Sequence, residues 1–432
     1  LSRREIRRCR IEKIQNNAAV SEQIGKLVEI LGCRKVTNVC SKAHADGLTI
    51  NAEVQIPLLS YPEKKQTDPG YIVAVELDTA VEEASEVPTN TSNIGLSDQR
   101  KIYINRLSPA KPTLVFDTYW YFAAERQNIF FNRLSGRKPP WTEDPILLEH
   151  KFTNAYRASD RVSQYLISHV IYCGDQSAEE LFFRILLFKI FNRIETWELL
   201  TRRMGMPSYR DYDYKIFDDI LTSAIEQGAR IYSAAYIMPS GGPNSGESRK
   251  HRMHLKLIER MMKEEVPLRI SDAKTMAKAF ELLRSYPTIG DFLAYQYVTD
   301  LNYSVLTDFD EKSFVVPGPG AKDGIRKCFT DLGGLNEAEL IKQVTDIQEA
   351  EFERLNIRFR SLWGRQLQPI DCQNLFCEVD KYARVKHPEF TGLTGRTRIK
   401  QKFKANREEL RYWYPPKWRI NDKIPPGVRY VP

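Results

Sequence analysis

Apolar residues recur at helical spacing through the middle of the chain. Seven segments between Thr113 and about Leu362 place apolar residues at positions i, i+3, i+4 and i+7. They span residues 114–134, 160–171, 178–200, 214–228, 254–265, 272–286 and 336–355. No self-similar unit of about 20 to 50 residues recurs, so a solenoid is not expected. The pattern predicts a mainly α domain.

The two flanks of this region have a different pattern. Residues 48–56 and 71–79 alternate like strands and residues 21–33 have helical spacing, which predicts a small α+β unit over residues 1–110. Residues 391–432 mix charge, aromatic rings and proline without a period, which predicts a basic, extended arm. The helical domain is therefore expected over residues 111–390.

Composition limits which cellular compartment and which ligands are expected. The longest apolar stretch, LFFRILLFKIF, is interrupted by Arg184 and Lys189, so it predicts a core helix and no membrane partner. Seven cysteines without a C-x-x-C pair favour a reducing, intracellular compartment, nuclear if the organism is a eukaryote. His251 and His254 favour a basic, solvated helix over a metal site, and no metal is predicted.

Positive charge collects near the C-terminus. The formal net charge is +8, and residues 381–432 hold 14 Lys and Arg against 4 Asp and Glu. Such a block is either a solvated face or a surface that binds the phosphate backbone of DNA.

The block at residues 125–161 joins a helix, a Pro-Pro-Trp-Thr turn and a second basic segment. In one interpretation, Arg157 and Arg161 on the second segment face a ligand. In the other, they form surface ion pairs with Asp160 and Glu149. The spacing alone favours neither interpretation.

A Pro-x-Ile-Gly turn lies between two predicted helices at residues 287–290. Such a turn can present the backbone N–H groups of Thr288, Ile289 and Gly290 to a DNA phosphate, as a helix-hairpin-helix does. The alternative is a simple turn between helices, with Gly290 as a C-cap.

The loop FVVPGPGAKDG, residues 314–324, lacks the spacing of a P-loop. Gly318, Gly320, Ala321 and Lys322 could still bring backbone N–H groups and a cation to an anion at a helix start. The alternative is a plain N-terminal turn of a helix.

Acids and a lysine lie close together after residue 370. Asp371, Glu378 and Lys381 share one face of a predicted helix, while Asp380 points away. This group could accept a proton or orient an amine, or it could be a structural salt-bridge cluster.

Six ordered segments between residues 114 and 404 carry a resemblance: ERQNI, PPWTEDPIL, FTNAYRASDR, GDFLAYQYVTDL, PGPGAKDGI and NLFCEVDKYARV. With GARIYSAAYIMPSGG, they resemble the helical domain of the 5-hydroxymethyluracil DNA kinase and alpha-glutamyl/putrescinyl thymine pyrophosphorylase family. That family is distantly similar to helix-hairpin-helix DNA glycosylases. The resemblance implies a mainly α fold, with a glycosylase-like helical core between the N-terminal unit and the basic arm.

Two departures from the glycosylase pattern stand out. Thr288 replaces the first glycine of the hairpin, and Val316 and Pro317 stand where the catalytic aspartate is expected. Base excision is therefore the weakest of the expected activities.

The resemblance implies an enzyme that binds DNA, extrudes a pyrimidine and displaces pyrophosphate from its 5-substituent with an amine. Arg157, Arg161, Lys322 and the Gly318–Ala321 backbone would receive the anion, and Asp371 or Glu378, beside Lys381, would deprotonate the amine. Arg133, Trp141 and the hairpin of Thr288, Ile289 and Gly290 would contact DNA.

The implied partners go beyond DNA. Mg²⁺ could accompany a pyrophosphorylated base, although no cofactor is certain. Because the chain lacks a P-loop, kinase activity would need a separate kinase or another subunit. The alternative function is a non-catalytic DNA-binding module within a larger assembly.

Overall fold

The computed structural model describes strand segments between residues 6 and 107 and then residues 110–240, 249–405 and 411–432. Backbone contacts divide the chain into two units. The first comprises residues 1–113 and 329–336, and the second comprises residues 114–328 and 337–432.

The first unit contains short antiparallel sheets. A three-stranded sheet has the order β1-β3-β2, with β1 at Ile6–Glu12, β2 at Val36–His44 and β3 at Gly47–Gln55. Tyr71–Ile72 (β4) pairs with Arg106–Leu107 (β5), and Lys111–Pro112 (β6) pairs with Phe329–Asp331 (β7). The alternation at residues 48–56 thus falls mainly in β3, while the helix expected at residues 21–33 lies outside the described residues.

The second unit is helical, which confirms the mainly α prediction. Its described residues form α1 Leu114–Leu134, α2 Pro145–Glu149, α3 Arg161–Tyr165, α4 Ala178–Phe191, α5 Ile194–Met204, α6 Tyr214–Glu226, α7 Lys250–Lys263, α8 Val266–Ser271, α9 Met276–Arg284, α10 Asp291–Leu301, α11 Pro319–Cys328, α12 Glu337–Asp346, α13 Gln348–Arg354 and α14 Pro369–Lys386. A π-helical turn, Leu166–Ile171, continues α3. No helix among the described residues is long and apolar enough to cross a membrane.

Helix α4 lies in the core, as its apolar sequence predicts. Its side chains from Glu180 to Phe191 are all buried, including Arg184 and Lys189. Arg184 Nε donates to the Val170 carbonyl at 3.0 Å, and its Nη1 lies 3.6 Å from Glu180 Oε2, so its charge is compensated within the core. The long predicted helix over residues 178–200 breaks after α4 because Asn192 adopts a left-handed conformation with φ 47°.

The prediction of a solvated histidine helix was wrong. His251 and His254 are 1% and 0% exposed, because they lie on the same stripe of α7 as the buried Leu255 and Ile258. His251 Nε2 lies 2.7 Å from Asp218 Oδ1. His254 Nδ1 accepts a 2.8 Å hydrogen bond from the Tyr232 hydroxyl, and burial lowers its pKa to about 4.

The glycines of the 314–324 loop allow α11 to pack closely on α14. A Cβ atom at Gly320 would lie 2.4 Å from Cys377 Sγ, and one at Gly324 would lie 1.9 Å from the Phe376 carbonyl oxygen. The two glycines are four residues apart and face the same helix. Close helix packing therefore accounts for Gly320 and Gly324 without a bound anion.

Substituting alanine at Gly324 is expected to destabilise the protein by about 3 kcal/mol, since backbone must move to admit the methyl group. Gly320→Ala should cost less, because the Cys377 side chain can rotate. Gly427→Ala is the matched control, as a Cβ there meets no atom within 4 Å. Urea unfolding measures all three, and equal stabilities would contradict the packing assigned to Gly324.

The expectation of an extended arm was wrong for residues 411–432, which pack onto the helical unit. Tyr414 is 0% exposed, and its hydroxyl lies 2.8 Å from Ser159 Oγ. Ile420 and Ile424 are also buried. Aromatic and apolar residues without helical periodicity can be buried through short 3₁₀ turns, and this segment contains three of them.

Candidate functional site

Arg157 lies at the centre of the site, on a buried 3₁₀ turn, Arg157–Ser159. Its backbone N–H donates to Asp371 Oδ1 at 2.8 Å, and the N–H of Asn154 donates to Asp160 Oδ1 at 2.8 Å. The whole residue is 1% exposed. The surface ion-pair interpretation was therefore wrong for Arg157, and Glu149 pairs instead with Lys402.

The Arg157 side chain belongs to a buried polar group that we call the Arg157 cluster: Arg157, Lys189, Gln296, Asp300 and Tyr303. Arg157 Nη1 donates to Asp300 Oδ1 at 2.8 Å and to the Tyr303 hydroxyl at 3.0 Å, and Nε donates to Gln296 Oε1 at 3.0 Å. Lys189 Nζ lies 3.2 Å from Asp300 Oδ2. Helices α4 and α10 and the Arg157 turn thus converge on one carboxylate.

The ion pairs of the Arg157 cluster are unbalanced. Two cationic side chains share Asp300, which is 0% exposed. Burial lowers the pKa of Lys189 to about 8, although Asp300 opposes the shift. A buried surplus of positive charge is costly unless another anion compensates it, so the cluster is suited to an anionic ligand.

Several buried polar atoms around the cluster have no hydrogen-bond partner within the described part of the chain. They include Arg157 Nη2, Gln296 Nε2 and Gln373 Oε1. An unsatisfied buried donor or acceptor costs about 1–3 kcal/mol. These atoms are therefore available to a ligand or to water.

A pair of stacked rings adjoins the cluster. The rings of Tyr236 and Phe292 lie 5.6 Å apart with 5° between their planes, and Lys189 Nζ is 4.7 Å from the centre of the Tyr236 ring. Both rings are half-buried. A Cβ at Gly318 would lie 2.9 Å from Phe292 Cδ2, so the start of the PGPG segment contacts this pair directly.

Three carboxylates accept hydrogen bonds from backbone N–H groups at or just before the Arg157 turn. Asp371 Oδ1 and Oδ2 accept from the N–H groups of Arg157 and Gln368, and burial raises its pKa to about 6. Glu378 Oε2 accepts from Thr153 N–H at 3.0 Å and from Lys381 Nζ at 2.6 Å.

Asp160 is the third carboxylate, and its Oδ1 accepts a hydrogen bond from the Asn154 N–H group. Burial raises the pKa of Asp160 to about 7, opposed by the hydrogen bond from Asn154 and reinforced by Glu378. A carboxylate whose pKa is near neutrality can take up a proton at physiological pH.

The contacts of α14 match the salt-bridge alternative for Lys381, which pairs with Glu378. Asp380 points elsewhere, to Lys327 at 2.9 Å. The catalytic roles of Asp371, Glu378 and Lys381 remain predictions.

Among the predicted anion-binding groups, Arg157 enters the cluster and Gly318 contacts its ring pair. Arg161 and Lys322 are exposed, Ala321 is buried, and Gly320 packs against Cys377. Helix α11 begins at Pro319, with Gly318 O accepting from Lys322 N–H at 3.0 Å. Their role in binding phosphate remains a prediction.

The turn between α9 and α10 holds the predicted hairpin residues. Gly290 precedes α10 as its N-cap, so the C-cap alternative was wrong. Thr288 has φ 69°, a left-handed conformation that favours glycine. Ile289 is buried, while Gly290 is exposed and a Cβ there would meet open space.

Trp141 borders a separate cavity of about 690 Å³. The Arg133 guanidinium lies 4.8 Å from the centre of the Trp141 ring, and Trp141 Nε1 donates to the Arg137 carbonyl at 2.6 Å. The cavity is lined by three acids, Glu125, Glu143 and Asp144, and by Tyr121 and Tyr382 among others. The cavity thus combines aromatic and charged groups. That Trp141 binds DNA stays a prediction.

Lys189, Gln296, Asp300 and Tyr236 are site residues that the sequence analysis missed. A signal for Lys189 existed, because it interrupts an otherwise apolar helix that must be buried. Gln296 and Asp300 gave a similar signal, since they are four residues apart in a helix buried almost throughout.

The part of the chain that matches known proteins contains all of these residues. Residues 113–392 match the family model described as 5-hmdU DNA kinase, helical domain. The chain is 28% identical over 297 residues to the "5-hmdU DNA kinase" of Bacillus phage SP10, covering 64% of this chain and 46% of that protein. The chain thus spans less than half the length of this curated relative. No solved structure matches. Since the family model covers well over half of the chain, the protein belongs to the 5-hmdU DNA kinase helical-domain family.

Proposed function

We propose that the helical unit binds DNA and holds an extruded uracil whose 5-substituent carries an anionic group in the Arg157 cluster. The observation that carries this proposal is the shared carboxylate: Arg157 and Lys189 have only Asp300 between them in the cluster, and Arg157 Nη2 has no partner among the described residues. The curated relative's name supplies the substrate class, a 5-hydroxymethyl-deoxyuridine in DNA.

The reaction that we propose replaces pyrophosphate on the 5-methylene carbon with an amine. The amine nitrogen forms a bond to that carbon, and the bond from the carbon to the pyrophosphate oxygen breaks. Negative charge grows on the departing oxygen, where Arg157 and Lys189 would stabilise it. The attacking nitrogen loses one proton to a carboxylate.

We assign the uptake of that proton to Asp160. Its pKa is raised to about 7, so it is substantially ionised at neutral pH and gains a proton readily. Both oxygens of Asp371 accept backbone hydrogen bonds, and Glu378 is paired with Lys381. These contacts favour Asp160 over the two bases expected from the sequence.

Mg²⁺ does not fit the Arg157 cluster. Asp300 is already shared by two cations, and no three His, Cys, Asp or Glu side chains lie together as metal ligands in the part of the chain that the structure describes. The proposed reaction therefore uses only side chains of the protein. Phosphorylation of the base would be the work of a kinase region or partner outside the cluster.

The proposal is tested with short single-stranded oligonucleotides that carry one thymine, 5-hydroxymethyluracil or pyrophosphorylated 5-hydroxymethyluracil. The pyrophosphorylated base should bind most tightly, and Arg157→Met should remove that advantage. Incubation with a diamine, followed by nucleoside mass spectrometry, would detect the amine adduct. Equal affinities for the three bases would overturn the proposal, whereas preferential binding without an adduct would leave a binding module.

The turnover rate should depend on pH as a narrow bell. Asp160 must be ionised, so the rate rises as pH passes about 7, and Lys189 must be protonated, so the rate falls above about 8. Tyr236, which also faces Lys189, does not interfere because its pKa is raised to about 12. Lys189→Arg should abolish the falling limb, and Asp160→Asn should remove the rising limb with most of the rate. A flat profile in the wild-type protein would refute both assignments.

A separate prediction concerns the contribution of the predicted hairpin, residues 287–290, to DNA affinity. Gly290→Val should leave stability nearly unchanged, since a Cβ meets no atom within 4 Å and the φ of −83° suits any residue. If a phosphate approaches the exposed start of α10, the added side chain should weaken DNA affinity about tenfold. Fluorescence anisotropy measures this, with Gly427→Val as the control. Unchanged affinity would mean that the turn is not a DNA contact.

A further inference from the structure

Two buried glutamine side chains adjoin the ring pair of Tyr236 and Phe292. Gln296 is 0% exposed and lies one helical turn after Phe292 on α10. Gln373, on α14, is 2% exposed, and its Nε2 lies 3.7 Å from the Cβ position of Gly318, the residue that packs on Phe292. Both buried amides therefore lie next to this ring pair.

The orientation of the Gln296 amide is fixed by its neighbour. A guanidinium can only donate hydrogen bonds, so the atom 3.0 Å from Arg157 Nε must be the Gln296 oxygen. The Nε2 group then points elsewhere, and it has no partner among the described residues. Gln373 Oε1 is likewise a buried acceptor without a partner there. One vacant donor and one vacant acceptor remain.

We infer that Gln296 and Gln373 read the Watson–Crick edge of the base, an inference that rests on the proposed function. Gln296 Nε2 donates to the 4-carbonyl oxygen of uracil, and Gln373 Oε1 accepts from its N3–H group. Cytosine has a 4-amino donor and an N3 acceptor in these two places. It would face donor with donor and acceptor with acceptor, so the pair selects uracil bases.

The covalent structure of uracil supports this placement. Carbon 5 is bonded to carbon 4, so a base whose 4-oxygen meets Gln296 directs its 5-substituent to the neighbouring position. The group beside Gln296 is Arg157, whose Nη2 atom is unpartnered. One ligand, a uracil with an anionic 5-substituent, would thus satisfy the vacant donors of both residues.

The test compares two short single-stranded oligonucleotides that carry one 5-(phosphoryloxymethyl)uracil or one 5-(phosphoryloxymethyl)cytosine. The anion is the same in both, so the ratio of their affinities reports only how the edge is read. The wild-type chain should prefer the uracil by about tenfold or more. Gln296→Glu keeps an oxygen for Arg157 but replaces the donor with an acceptor, and it should shift the ratio at least about tenfold toward cytosine.

Two further variants keep the inference falsifiable if the glutamate variant does not fold. Gln296→Met and Gln373→Met preserve volume, and each should lower uracil affinity and move the ratio toward one. A wild-type chain that prefers the phosphorylated uracil over thymine, but whose ratio is unmoved by all folded variants, would overturn this inference and leave the proposed function standing. A wild-type chain with no preference for the phosphorylated base would defeat both.

Discussion

Replacing Asp300 with asparagine should lower the free energy of unfolding by about 3–5 kcal/mol, because two buried cations lose their shared counter-charge. The side chains have nearly the same size, so packing is preserved and the effect reports on charge. Urea unfolding at pH 7 measures the loss. Asp308→Asn is the control, since its side chain is 87% exposed and its contact with Lys417 is 3.5 Å long; it should cost less than about 1 kcal/mol.

The same variant distinguishes a ligand site from a purely structural ion pair. If the Arg157 cluster accepts anions, inorganic pyrophosphate should raise the melting temperature of the Asp300→Asn protein more than that of Asp308→Asn. Adding Lys189→Met to Asp300→Asn removes the surplus cation and should restore part of the stability. An Asp300→Asn protein as stable as the wild type would show that water already compensates the charges.

Removing four exposed cations from residues 391–405 should weaken DNA binding more than any other surface change. Arg396, Arg398, Lys400 and Lys404 are exposed, and this stretch contains no acid. Each phosphate contact contributes about 0.9 to the slope of log affinity against log salt on duplex DNA, so replacing all four with glutamine should reduce the slope by up to about 3.6. Affinity at low salt should fall by at least about a hundredfold.

Anisotropy titrations at several salt concentrations measure this slope. A second quadruple variant provides the matched control, with glutamine at four exposed cations on helices of the same unit: Arg202, Arg203, Lys215 and Lys278. The two variants carry the same net charge. If DNA contacts residues 391–405 locally, the control variant should therefore alter the salt slope far less. Equal losses in the two variants would indicate that overall charge, rather than this segment, attracts DNA.

Local periodicity predicted the helices well but not where they end or what their polar residues meet. The apolar spacing of residues 114–134 corresponds to α1, whereas residues 336–355 split into α12 and α13. The basic segment around Arg157 did not reveal its backbone conformation, which is a short turn held by Asp371. Such a tether joins residues 214 positions apart, and no local pattern encodes it.

The sequence predicted only part of the candidate site, because contacts between distant residues have no local pattern. Arg157 was found because its neighbours form a recognisable segment, yet its partners Gln296 and Asp300 lie 139 and 143 residues away. The glycines of the 314–324 loop were read as ligand-binding, because a sequence does not show that another helix lies within 2.4 Å of a missing Cβ. Lys189 could have been predicted as a site residue, since a charge inside an apolar helix requires a buried partner.

The basic segment of residues 391–405 is fastened along its length. Asp323 of α11 accepts from Thr394 N–H at 3.0 Å, Arg384 donates to the Arg398 carbonyl at 2.9 Å, and residues 149–151 bond to residues 401–403. Ordering a free backbone costs about 1–2 kcal/mol per residue, and here folding has already ordered it. If this segment binds a nucleic acid, binding therefore has to restrict only lysine and arginine side chains, and most of the entropy released with displaced counterions is retained as affinity.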